Sequence, residues 1–262
     1  MSGIHPTAIV DPDANLDPSV QVGPYSIIGP HVTIGAGTRV GPHVVIEGRT
    51  TIGRDNVIYQ FCSLGAGPQD KKYAGEDTRL EIGDRNTIRE FCSFNTGTVQ
   101  DASVTRLGND NWILAYVHLA HDCQVGSHTI FSNNATLAGH VHVGDHAILS
   151  GFAAVHQFCK IGAHAFVGMN ASLSQDVPPF VLAGGNPVAP RGINIEGLRR
   201  RGFSPDEIQG IRSAYRLLYK SSLTLEEAKA ALDAEAATNH AAAPYILALR
   251  QFLDSASRGI VR

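Results

Sequence analysis

The stretch I-G-P-H-V-T-I-G-A-G-T-R-V-G-P-H-V-V-I (residues 28–46) sets Ile28, Ile34, Val40 and Ile46 six residues apart. The same spacing runs from Ile4 through Val10, Leu16 and Val22, and onward to Ile52 and Ile58. It resumes at Ile82, Ile88 and Phe94, returns at Leu107, and holds through Val125, Val143 and Ile161 to Leu173. A period of six fits neither a helix at 3.6 nor an isolated strand at 2, so the chain reads as a solenoid of short stacked strands. The fifth place of each hexad is small or short, as at Ala8, Ser26, Thr38, Ala135, Ala147 and Ala165. One large side chain filling the axis and one small side chain against the wall suit a narrow three-sided prism. About 25 hexads at three per coil make about eight coils, each rising roughly 4.8 Å. Glycine recurs at the second place (Gly23, Gly35, Gly53, Gly126), which predicts corners of positive φ or of tight backbone approach.

Two segments break the register, residues 65–81 and 100–106, and both predict surface loops of the kind that carry binding residues. After Leu173 the pattern fades through Pro178, Pro179, Pro187 and Pro190, which predicts an end to the strands. The composition then changes. Ser204-Pro205-Asp206-Glu207 is a capping box with proline at the first helical place, followed by Ile208, Ile211, Tyr215 and Leu218 on one face. Thr224 starts a second helix, and a third is expected from about Pro244 to Ala256. The expected division is a prism over 1–190 and a small α-helical domain over 191–262.

A formal charge of −3 and a pI near 6.4 argue against a general nucleic-acid binder. No stretch approaches the roughly 20 apolar residues that span a bilayer, and Met1 to Val10 lacks the pattern of a secretory signal. The expected location is the cytoplasm. Cys62, Cys92, Cys123 and Cys159 share the inward fifth place and no C-x₂-C spacing, so they read as buried small residues rather than metal ligands.

Among twelve histidines, six (His31, His43, His128, His140, His146, His164) take the fourth place, an outward corner where a solvated side chain is expected. His121 departs from that habit at the third place of hexad 119–124. One and two coils on, the same column holds Gly139 and Gln157. His118, His140 and His156 flank it, so the repeat gathers His118, His121, His140, His156 and Gln157 onto one patch. A histidine near neutral pH can take a proton from a hydroxyl, and a bare N–H at Gly139 can stabilise an oxyanion. With the cysteines pointing inward, no nucleophilic side chain stands out, which favours direct acyl transfer to a bound alcohol or amine.

H-L-A-H-D-C (118–123), N-N-A-T-L-A-G-H-V (133–141), A-V-H-Q-F (154–158), Q-D-V-P-P (175–179) and N-I-E-G-L-R-R-R-G-F (194–203) resemble the bacterial UDP-N-acetylglucosamine acyltransferases. So do Q-D-K-K-Y-A-G-E (69–76) and I-G-D-R-N-T-I-R-E (82–90), and the similarity spans essentially the whole chain. The resemblance implies a left-handed parallel β-helix, mainly β, with a small C-terminal helical domain. It implies transfer of an (R)-3-hydroxyacyl group from acyl carrier protein to the 3-hydroxyl of UDP-N-acetylglucosamine, the first step of lipid A biosynthesis. It implies a homotrimer with its site between two prisms, and neither cofactor nor metal. His121 would be the general base, Asp122 its orienting partner and Gly139 the oxyanion donor. Asp70, Lys72, His118, His140, His156, Gln157, Asn194, Glu196, Arg200 and Arg201 would contact substrate. Met169 would limit acyl length, and Arg199, Arg212 and Arg216 would face the acidic carrier protein. Where relatives commonly read I-H-R-G-T, this chain has Phe94-Asn95-Thr96-Gly97-Thr98, so an imidazole and a guanidinium are missing from the cleft.

Two other readings compete. A zinc hydratase of the γ-carbonic anhydrase kind would share the prism and bind zinc with three histidines, His121 and His156 among them, across a subunit interface. A related sugar-nucleotide N-acyltransferase would carry a further N-terminal domain, whereas the repeats here begin at Ile4.

Overall fold

The computed structural model describes residues 3–262, and its strands form three sheets of nine, eight and ten members. Most strands are two residues long, such as Ile27–Ile28, Thr33–Ile34 and Arg39–Val40. Each pairs in parallel with the strand one coil away, setting Ile28 opposite Ile46, Ile34 opposite Ile52 and Val40 opposite Ile58. First-place side chains thereby stack along the axis, where Ile28, Ile46, Ile52, Phe94 and Phe131 are fully buried. The protein is a left-handed parallel β-helix with a small helical part at its C-terminal end.

Of the two reasons expected for glycine at the second place, the structure shows tight approach and not positive φ. Positive φ falls on the fourth place of the hexad, at Tyr25 (59°), Asp122 (61°), His140 (63°) and Phe158 (66°) among others. That region is uncommon for residues with a side chain, and Asn, Asp and His enter it most readily. The second-place glycines lie outside it. A Cβ on Gly23 would stand 2.7 Å from the carbonyl carbon of Gly41, and one on Gly35 would stand 2.8 Å from that of Gly53. Close approach of the next coil, rather than positive φ, requires glycine there.

Of the six corner histidines, His31, His43 and His128 are exposed as expected, while His140, His146 and His164 are half-buried. His128, His146 and His164 stack at 4.8 and 4.7 Å between ring centroids, and Phe180 continues the ladder. Burial lowers the His146 pKa and pushes that of His164 down to about 4. On a second corner His43 stacks between Tyr25 and Phe61, and Phe91 and Tyr116 extend the column.

All four cysteines are free and buried at the inward place. On one inner wall that place holds a polar ladder instead. Asn86 Nδ2 donates to Asn56 Oδ1 at 3.0 Å, Asn111 Nδ2 to Asn86 Oδ1 at 2.9 Å, and Thr129 Oγ1 to Asn111 Oδ1 at 2.7 Å. Each oxygen also accepts the backbone N–H of the residue stacked upon it. Every buried amide oxygen in this ladder is therefore satisfied.

Strands reach into both register breaks. The first insertion lies between Ser63–Ala66 and Arg79–Ile82, the second between Ser93–Asn95 and Val104–Leu107. Strands also continue past the prolines, contrary to the sequence expectation. Val181–Gly184 pairs in parallel with Phe166–Val167, and Ala189–Ile193 returns antiparallel to it. Pro190 is tolerated because its strand is the sheet edge and needs no second partner. The hairpin thus crosses residue 190.

Four helices follow: α1 (Ile195–Arg200), α2 (Pro205–Tyr219), α3 (Leu225–Thr238) and α4 (Ala243–Ser255). The short α1 carried no periodic signal and is the one missed in the sequence. Asn194 caps it, with Oδ1 accepting the Gly197 N–H. Capping boxes open α2 at Ser204 and α3 at Thr224. Leu218, Ala228, Leu232, Ile246 and Leu249 form the core between α2, α3 and α4. Among the described residues no helix is long and apolar enough to cross a membrane.

Candidate active site

His121 and Asp122 occupy the third and fourth places of one hexad, so the corner turn sets them side by side. His121 Nδ1 lies 2.9 Å from Asp122 Oδ2. The carboxylate is fully buried and held by the Thr98 N–H at 2.9 Å and the Thr98 hydroxyl at 2.6 Å. The Asp122 N–H in turn donates to Thr105 Oγ1 at 2.8 Å. An ionised carboxylate only accepts, so the imidazole proton sits on Nδ1 and Nε2 keeps its lone pair. That is the arrangement of a histidine base oriented by an acid.

One coil further, Gly139 lies beneath the imidazole. A Cβ there would stand 2.4 Å from His121 Cε1 and 2.6 Å from Nε2. Only glycine leaves room for this ring position. The Gly139 carbonyl accepts the Phe158 N–H at 3.1 Å, while the Gly139 N–H meets no acceptor among the described residues.

His140 meets His121 edge to face, with centroids 5.0 Å apart, and its other side stacks on Phe158 at 4.4 Å. Its Nδ1 lies 2.9 Å from Asp101 Oδ2, a partner the sequence did not disclose. The two histidines open into a cavity of about 800 Å³ whose wall includes Asp70, Lys72, Asp101, Gln157 and Phe158. Asp70 and Lys72 come from the first insertion, where the Asp70 carboxylate accepts the Lys72 N–H at 3.0 Å. Residues of this loop thus share the cavity wall with His121.

His118 and His156 do not line this cavity. His118 sits on the neighbouring sheet, where its Nδ1 pairs with Ser93 Oγ at 2.8 Å and burial lowers its pKa. His156 is exposed and meets the Arg258 guanidinium at 2.8 Å, a contact supplied by the C-terminal tail. Buried Asp176 anchors that tail by accepting the Ser257 N–H at 3.2 Å. The segment with Asn95 and Thr96 is structural. Asn95 Nδ2 donates to the Gly67 carbonyl at 3.0 Å, and Thr96 pairs with Thr78 at 3.0 Å, fastening both ends of the first insertion.

Asn194, Glu196, Arg200 and Arg201 lie elsewhere on the chain, beside the corner formed by His146 and His164, and none lines the cavity. Asn194 is spent on capping α1 and on the His164 carbonyl. Arg201 donates to the carbonyls of Gly197 and His146, both at 3.2 Å, and burial lowers its pKa. Glu196 pairs with Arg199 at 2.7 Å, while Arg200 is exposed. On α2, Arg216 is exposed and Arg212 donates to Gln209. Met169 projects from the corner that also carries Tyr25 and Phe61, 67% exposed.

One ring nitrogen each of His121 and His140 and the Asp122 carboxylate lie within 4.8 Å of one another, as a metal site would require. Hydrogen bonds already account for all three, because each ring nitrogen has its own carboxylate. The pair invoked for a zinc hydratase, His121 with His156, does not converge on the cavity.

The family model described as UDP N-acetylglucosamine O-acyltransferase, domain 2, matches residues 176–261, and that of the bacterial transferase hexapeptide matches residues 105–139. Over all 262 residues the chain is 64% identical to the acyl-[acyl-carrier-protein]–UDP-N-acetylglucosamine O-acyltransferase of Herminiimonas arsenicoxydans, covering 100% of both chains. It is 58% identical to that of Burkholderia lata, again over 100% of both. Among solved structures, UDP-N-acetylglucosamine O-acyltransferase from Moraxella catarrhalis superposes with a TM-score of 0.96 at 46% identity, over 99% of this chain and 100% of that one. The Arabidopsis UDP-N-acetylglucosamine acyltransferase gives 0.85 at 36% identity, over 99% and 100%. With the repeat, the tail and the relatives in agreement from end to end, the chain belongs to the UDP-N-acetylglucosamine O-acyltransferase family.

Proposed function

We propose that the protein transfers an (R)-3-hydroxyacyl group from acyl carrier protein to the 3-hydroxyl of UDP-N-acetylglucosamine in the cytoplasm, the first step of lipid A biosynthesis. The chief support is the His121–Asp122 pair seated over Gly139 in a polar cavity. His121 Nε2 takes the proton of the sugar 3-hydroxyl as its oxygen attacks the thioester carbonyl. The carbonyl oxygen becomes an oxyanion, which the unused Gly139 N–H stabilises. Collapse breaks the carbon–sulfur bond, and the departing thiolate recovers the proton from His121. Asp122 stays ionised throughout and favours the imidazolium formed between the two steps.

Asp70, Lys72, His140 and Gln157 surround the sugar nucleotide in this scheme. Arg199, Arg200, Arg212 and Arg216 offer a basic surface to the acidic carrier protein. Asn194, Glu196, Arg200 and Arg201 sit at a different corner from His121, so one protomer alone does not bring both groups to a single substrate. A homotrimer, with the site between two prisms, does. The exposed rings of Tyr25, Phe61, Phe91 and Tyr116 along one corner form the apolar face such an assembly would cover. His118 acts from the adjoining sheet and His156 from beside Arg258.

The test is an assay with UDP-N-acetylglucosamine and a ladder of 3-hydroxyacyl carrier proteins, with the oligomer measured by sedimentation. His121→Ala should remain assembled and lose about two to four orders of magnitude in rate. A variant keeping a tenth of the parent rate would remove His121 from the role of base.

A further inference from the structure

The second insertion touches both histidines of the cavity, and only one of those contacts serves the proposed base. Thr98, at its start, clamps Asp122 through its N–H and hydroxyl, and Asp122 holds His121. Three residues later, Asp101 Oδ2 meets His140 Nδ1 at 2.9 Å. The spacing between the two is fixed locally. The Thr98 carbonyl accepts the Asp101 N–H at 3.3 Å and the Ser103 N–H at 3.1 Å, which folds the loop tip back on its own base.

His140 is constrained on every side. Phe158 stacks on one face with planes 8° apart, His121 meets it edge to face, and the Asp101 carboxylate accepts a hydrogen bond from its Nδ1. The side chain of Asp101 is 45% exposed and lines the cavity, whereas that of His140 is 12% exposed. A carboxylate at Nδ1 keeps the proton there and leaves Nε2 of the neutral ring as an acceptor. An acceptor in this cavity suits a hydroxyl of the sugar. A donor in its place would reverse that bond and leave the hydroxyl proton without this acceptor.

We propose that Asp101 is a positioning residue for the acceptor substrate: it fixes the proton of His140 on Nδ1, so that one loop orients both the base and its neighbour. The assignment of sugar to this cavity rests on the acyl transfer proposed above. The positioning of His140 does not.

Asp101→Asn and Asp101→Glu in the full-length protein test this by steady-state kinetics and by nitrogen-15 NMR of the histidine rings, with His140 identified through His140→Gln. Asn can turn an amide donor toward Nδ1 and drive the proton to Nε2. In Asp101→Asn the His140 proton should move to Nε2, and KM for the nucleotide sugar should rise up to about tenfold with kcat changed less, the upper worth of one neutral hydrogen bond. Asp101→Glu should restore both. A merely structural loop residue would shift thermal stability and leave the ring proton and the KM-to-kcat split alone. A His140 proton that stays on Nδ1 in Asp101→Asn, or parental KM in that variant, would overturn the proposal. If the ring proton moved while the parent itself transferred no acyl group, the functional reading would fail and the positioning would stand.

Discussion

His121 and Gly139 are fitted to one another: the imidazole occupies the space that a Cβ on residue 139 would need, 2.4 Å from Cε1. Residue 139 lies outside the positive-φ region, so alanine is acceptable to the backbone and offends only the ring.

Gly139→Ala should therefore fold normally and still lose about a hundredfold in kcat, as expected when a catalytic group is displaced by about an ångström. The same change in a His121→Ala background should have little further effect, because the displaced group is already gone. Rates and melting temperatures of the four proteins decide it. Additive losses would mean that Gly139 acts independently of His121.

The His164 pKa of about 4 makes acid stability testable. Burial favours the neutral ring, while in the unfolded chain histidine binds a proton near pH 6.5. Between those values the unfolded state holds the extra proton, so stability falls as pH drops from 6.5 toward 4 and levels off below. His164→Phe keeps a ring in the ladder and removes a buried Nδ1 that has no partner. Its melting temperature should match or exceed the parent at pH 7 and decline less between pH 6.5 and 4.

Arg200 and Arg201 should separate cleanly. Arg200 is exposed, so Arg200→Ala should weaken binding of a charged substrate at low salt, and the difference should shrink as salt rises. Arg201 is committed to two backbone carbonyls. Arg201→Ala should lower stability by about 1–2 kcal/mol, measured by denaturant unfolding.

Met169 bears on acyl length. Its side chain is two-thirds exposed on the single protomer, so it can line an acyl groove only where another protomer covers it. The expected preference is for chains shorter than tetradecanoyl, nearest decanoyl or dodecanoyl. Each buried CH₂ contributes about 0.8 kcal/mol, so Met169→Gly should shift the preference by several carbons toward longer chains. Equal rates across the ladder in both proteins would remove Met169 from this role.

The prism was legible because its period is written into every coil, from Ile28 to Leu173. His121 stood out for the same reason, as a histidine one place off the common register. What the period could not convey lies in contacts across coils and loops. Thr98 reaches Asp122 and Asp101 reaches His140 only after the second insertion folds back, and no repeat encodes that distance. The commitment of Arg201 was hidden, because its acceptors are backbone carbonyls and leave no trace in side-chain identity. The strands beyond Leu173 were hidden by prolines that are harmless at a sheet edge.

A buried amide whose acceptor lies one coil below fits a single alignment of the stack. The ladder from Asn56 through Asn86 and Asn111 to Thr129 spans both insertions, so it counts coils where the hexads themselves are interrupted. Near-identical repeats could otherwise slip by a whole coil and bury much the same aliphatic surface. With the count held inside the prism, the loops outside are released from keeping it. They are free to change in length and composition under selection for what they bind, while His121 and Gly139 stay one coil apart.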